Sequence, residues 1–164
     1  MRPIACLTLL APALLGAQSG DLLLVLNKNA AEAVLLDPAT GAKVAAMPTG
    51  PFPHEVTVSP DGRTAVVANY GAQQPGNSLT MLDLARRAVV RTIDLGEYGR
   101  PHGIVWLPGG GRRVAVTSEL SGNVLVVDVD AGRVTSAAPS PSRSTRRARR
   151  PSTSRAPRGR ARCR

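Results

Sequence analysis

From Asp21 to Ala137 the apolar residues fall into short runs separated by Gly, Pro, Asn and Asp, and no stretch carries the 3.6-residue period of an amphipathic helix. The runs predict eleven strands, beginning at Leu22, Glu32, Lys43, Glu55, Thr64, Ser78, Ala88, Gly103, Arg113, Asn123 and Gly132. Several of them, such as LLLVL from Leu22 and VLVV from Val124, lack polar alternation, the pattern of strands covered on both faces. The chain reads as all-β.

The runs repeat. Pro53 to Tyr70, PHEVTVSPDGRTAVVANY, returns 48 residues later as PHGIVWLPGGGRRVAVTSEL, Pro101 to Leu120. Val56 and Val58 align with Ile104 and Trp106. Third strands end alike at Asp37, Asp83 and Asp128, spaced by 46 and 45 residues, and each Asp is followed by a turn and then a basic residue, Lys43, Arg86 or Arg133. The punctuation has a physical basis: Pro60 presets φ, Asp accepts local backbone hydrogen bonds, and Gly62 supplies a positive φ in the turn Ser59-Pro60-Asp61-Gly62. A period in the forties built from four short strands is the signature of a β-propeller blade. The predicted fold is therefore four-stranded antiparallel blades, fewer than three in number. Residues 22–47 supply strands two to four of one blade, 55–95 a whole blade, and 103–137 a third with a weak last strand. A ring closes with about four to eight blades, so the propeller is expected to be incomplete.

The unit formed by an apolar strand ending in Asp, then T-G-x-K-V, P-H-x-V-x-V-S-P-D-G-R and Ala65-Val66-Val67-Ala68-Asn69, resembles the YVTN-repeat β-propellers, the YncE-like and surface-layer-protein-like exported family. The resemblance covers residues 22–136. It implies a propeller outside the cytoplasm that works as a binding or scaffold module for a small molecule or protein on its face. The departures are Leu107-Pro108-Gly109-Gly110-Gly111 in place of Ser-Pro-Asp-Gly, Thr117-Ser118-Glu119 in place of Thr-Asn, and the insertion Gln73-Gln74-Pro75-Gly76. An alternative within propellers is a fragment of a lactonase-like or metal- or haem-associated redox enzyme, whose axis would be lined by histidines.

Composition changes the picture at the two ends. Residues 1–137 carry 11 Lys+Arg and 11 Asp+Glu, whereas residues 138–164 carry 10 Arg and no acid, so the net charge of +10 belongs to the tail. Met1–Ser19 has a basic Arg2, an apolar run from Ile4 to Leu15 and the small residues Gly16-Ala17-Gln18-Ser19, which predicts a secretory signal peptide cleaved after Ala17 or Ser19. The run is too short to span a bilayer, and no transmembrane segment is expected after cleavage. Localisation is expected to be periplasmic or extracellular. Export also argues against nucleic acid as the partner of the arginines. Residues 138–164 hold no strand pattern and are expected to be disordered; beginning where the next blade was due, they have the composition of a frameshift product in a GC-rich gene. Cys6 and Cys163 lie in these ends, so no disulfide staples residues 20–137.

Candidate chemistry concentrates on the repeat. His54 and His102 are the only histidines and open matched innermost strands, which predicts that both reach one rim of the central channel, where imidazoles could bind a metal. Asn69, Tyr70 and Glu119, at matched ends of second strands, are candidates for the same rim. Asp37, Asp83 and Asp128 are expected to be structural, and Trp106 to pack in the core. Gly109-Gly110-Gly111 precedes no helix and no Lys-Ser/Thr pair, so it is not a phosphate loop. No catalytic set can be written from spacing, and no cofactor is called for.

Overall fold

The structure, a computed structural model, describes residues 20–109 and 111–141. The expected signal peptide and most of the Arg-rich tail lie outside the described residues. Among the described residues eleven strands form three antiparallel sheets in chain order. The first is β1 (Leu23–Asn27), β2 (Glu32–Leu36) and β3 (Lys43–Pro48). The second is β4 (Pro53–Val58), β5 (Thr64–Asn69), β6 (Ser78–Asp83) and β7 (Ala88–Asp94). The third is β8 (Pro101–Trp106), β9 (Arg113–Ser118), β10 (Asn123–Asp128) and β11 (Arg133–Pro139). Among the described residues there is no helix, hence none long and apolar enough to cross a membrane.

The second sheet is sandwiched between the other two, and β5 shows how. Every one of its residues is buried. Because successive side chains of a strand point to opposite faces, Ala65 and Val67 pack with Ala33, Leu35 and Met47 of the first sheet. Val66 and Ala68 pack with Val114, Val116 and Leu125 of the third. This is the stacking that the unbroken apolar runs require. Leu35, Leu79, Leu82 and Leu125 are all buried side chains, each contributing about 1.5–3 kcal/mol over an exposed position.

Contacts between sheets fix the place of each strand in its blade. β4 touches β8, so the two Pro-His strands lie side by side, and β1 touches β4 as β5 touches β8. β1 therefore holds the second-strand position of a blade whose innermost strand is absent from the described residues. Among the described residues there are two full blades and one of three strands, an incomplete propeller.

The turns use the side chains that the repeat singles out. Asp37 accepts from the N–H groups of Ala39 (2.8 Å) and Thr40 (3.3 Å), Asp83 from Arg86 N (2.8 Å), and Asp128 from Asp130 N (3.0 Å) and Ala131 N (2.8 Å). Gly62, at φ +70°, closes its turn onto Ser59 O at 2.8 Å. Trp106 packs against the core between the second and third sheets, with the Arg112 guanidinium 5.8 Å from its ring.

Three strand boundaries differ from the sequence pattern by two residues. β4 and β8 begin at the Pro-His pair rather than after it, because a proline needs no ladder donor as the first residue of a strand. β11 runs past Ala137, with Ala138 opposite Val124 and Pro139 opposite Asn123. As an outermost strand it pairs on one side only, so poor strand formers are tolerated there.

Candidate functional site

The site grows from a feature that both Pro-His strands share. The residue before each proline, Phe52 and Arg100, has a left-handed backbone with φ +55°. This conformation is costly for a non-glycine residue and more so ahead of proline. Hydrogen bonds hold it in both blades: Phe52 O accepts from Tyr70 N at 3.2 Å, and Arg100 O accepts from Glu119 N at 3.1 Å. The pairing register then slips between Pro53 and Glu55 in one blade and between Pro101 and Ile104 in the other. Such bulges re-aim side chains. Here they fall on His54 and His102.

The consequence is a cluster at the neighbouring entrances of two blades. The imidazoles of His54 and His102 stand 4.4 Å apart between ring centroids. The Tyr70 ring lies 4.9 Å from His54 and 5.6 Å from His102. The Tyr70 hydroxyl donates to Glu119 Oε2 at 2.7 Å, and Glu119 Oε1 lies 3.9 Å from His102 Nδ1. The Arg100 guanidinium covers the Tyr70 ring at 4.8 Å and donates to Ala72 O at 3.3 Å. Arg100 N also donates to Gly76 O at 2.7 Å, which ties the Gly71–Gly76 loop, with its Gln73–Gly76 insertion, to the site. The loop closes tightly at its neck: a Cβ on Gly71, whose φ is +82°, would collide with Gly76 N.

Of the five residues expected at the rim, the structure brings four together: His54, Tyr70, His102 and Glu119. Asn69 is elsewhere. It is fully buried, its Oδ1 accepting from Gly50 N at 3.1 Å and its Nδ2 donating to Thr80 Oγ1 at 3.0 Å and Ser78 Oγ at 3.1 Å. Strand alternation sends it to the face opposite the one its neighbour Tyr70 reaches, where it fastens the loop between the first two sheets.

Three contributors escape sequence reasoning. Arg100 could have been found as the residue before the second Pro-His. Lys28 follows β1 as Tyr70 follows β5 and Glu119 follows β9; its Nζ lies 5.1 Å from the Phe52 ring. Glu55 is the third. In a regular strand it would face away from His54, yet the bulge brings a carboxylate oxygen and one nitrogen each of His54 and His102 to within 4.8 Å of one another.

Burial is the largest influence on His54 and, with Lys28 and His102 close by, pushes its pKa below the ordinary imidazole value; Glu55 and Glu119 oppose the shift more weakly. At neutral pH His54 is therefore uncharged, with a lone pair available. The cluster combines uncharged imidazole, phenol and two carboxylates with two cations at its edge. That set can ligate a metal or orient a small polar ligand against aromatic faces.

No protein-family model and no curated protein matches the chain. Among solved structures it is similar to Kuenenia stuttgartiensis hydrazine synthase, with 28% identity, a TM-score of 0.61, and coverage of 71% of this chain and 33% of that one. It is also similar to the dihydro-heme d1 dehydrogenase NirN in complex with DHE, with 22% identity, a TM-score of 0.61, and coverage of 76% and 26%. Both are β-propellers, and this chain shares that fold. It spans about a third and a quarter of their lengths.

Proposed function

We propose that the chain is part of an exported β-propeller of the YVTN-repeat kind that works as a binding module, with the His54–Tyr70–His102–Glu119 cluster as its ligand face. The observation that carries the reading is convergence: the only two histidines, from adjacent blades, meet a tyrosine and a glutamate at one rim. Repetition alone accounts for the Pro-His strands. It does not account for Tyr70 and Glu119, which differ between repeats and are joined to each other. The partner is a small molecule or a protein segment held on this face.

The test is recovery of the chain from its own host, with the N-terminus of the exported species sequenced and co-purifying small molecules identified by mass spectrometry. The expected result is an N-terminus at Gln18 or Gly20, outside the cytoplasm, and a ligand or peptide that His102→Ala loses. A chain retained in the cytoplasm, or the same co-purifying material on wild type and variant, contradicts the reading.

A second reading draws on the neighbours, whose names are those of a hydrazine synthase and a dihydro-heme d1 dehydrogenase. In it the chain belongs to a metal- or haem-associated redox propeller. Titration with haemin separates the two: a Soret shift that depends on His54 and His102 favours the enzyme, and an unshifted spectrum favours the binding module.

A further inference from the structure

We propose that His54, Glu55 and His102 form a binding site for a divalent transition-metal ion. The inference rests on the reading of this rim as a ligand face and names what the face holds.

The argument begins with the donor atoms. Two imidazole nitrogens and one carboxylate oxygen, from two blades, lie within 4.8 Å of one another. Ligands that share one ion at about 2.1 Å each are at most about 4.2 Å apart, so small side-chain rotations complete the set without moving a strand. Two histidines and a carboxylate suit zinc, copper and nickel rather than calcium or magnesium, which favour all-oxygen shells. Three protein ligands also leave a coordination position open for a water or a bound molecule.

Glu55 is what separates this site from a merely architectural Pro-His pair. Its equivalent in the next repeat is Gly103, so the repeat has no general need of a carboxylate here. The backbone bulge is nevertheless what turns Glu55 toward the imidazoles. Charge around the donors is balanced. Glu119 places a second carboxylate 3.9 Å from His102 and holds the Tyr70 hydroxyl, while Lys28 and Arg100 lie over the rings of Phe52 and Tyr70.

The experiment is calorimetric titration of the untagged chain with Zn²⁺ alone. Wild type is expected to show a one-to-one step that His54→Ala and His102→Ala abolish and Glu55→Gln weakens about tenfold or more. Lys28→Gln should bind about threefold more tightly, because a nearby positive charge opposes the ion. Circular dichroism confirms that each variant keeps its strands, and His102→Gln, close in size to the native side chain, repeats the loss without opening a gap. A step unchanged by Glu55→Gln, a step weakened by Lys28→Gln, or no step at all in a folded wild type overturns the metal site. The binding-module reading is judged separately by the co-purifying ligand: if that ligand depends on His102 while zinc does not bind, the face stands and the metal falls.

Discussion

The side chains at the rim divide into those that hold the backbone and those left to meet a ligand, and each kind predicts a different response to mutation. Asn69 belongs to the first. Its buried amide joins Gly50 to Thr80 and Ser78, so Asn69→Ala should lower unfolding free energy by about 1–3 kcal/mol in urea. Tyr70→Phe keeps the ring beside both imidazoles and deletes only the bond to Glu119. A loss of about 1 kcal/mol is expected, with zinc stoichiometry unchanged. The turn aspartates predict a pH effect. Backbone N–H donation, from Arg86 N first, lowers the pKa of Asp83 below its ordinary 3.8, as Ala39 N does for Asp37. A lowered carboxylate contributes stability that is present above the unfolded value and lost as pH falls through the folded one. Asp83→Asn should therefore be less stable than wild type at neutral pH, with the gap closing below 3.8 in acid unfolding curves.

At the scale of the strand, what was legible in the sequence was whatever depends on side-chain type and spacing. All eleven strands, the blade unit and the turn aspartates follow from apolar runs and punctuation. What depends on a one-residue shift of register was not legible. Glu55 reads as facing away from His54 until the bulge is seen, and Asn69 reads as a rim residue although alternation buries it. Lys28 was hidden because its blade shows no Pro-His strand to align on among the described residues. The burial of β5 on both faces makes a further prediction. Val66→Ala and Val67→Ala, adjacent but serving different cores, should each cost about 2 kcal/mol. Val89→Ala on the exposed β7 should stay within about 0.5 kcal/mol. Urea denaturation of the three variants decides the point, and a silent substitution at either β5 position would mean that one of its faces is not covered.

Over the whole molecule, the arc of blades leaves apolar surface at its first sheet. One edge of β1 is unpaired among the described residues, and Leu22, Leu23 and Val25 are 45%, 51% and 37% exposed. Unpaired apolar edges invite strand addition. The isolated chain is expected to self-associate in sedimentation velocity, and Leu23→Lys should shift it toward monomer; a monodisperse wild-type monomer contradicts this. The same arc carries the functional claim, since the rim exists only if consecutive blades stack so that β4 and β8 lie side by side. With only two histidines in the chain, their ring protons can be assigned by two single substitutions. The most direct measurement is nuclear Overhauser contact between those rings. Cross-peaks from His54 to both His102 and Tyr70 are predicted by centroid separations of 4.4 and 4.9 Å, and a folded chain with no cross-peak between the two imidazoles would contradict the account.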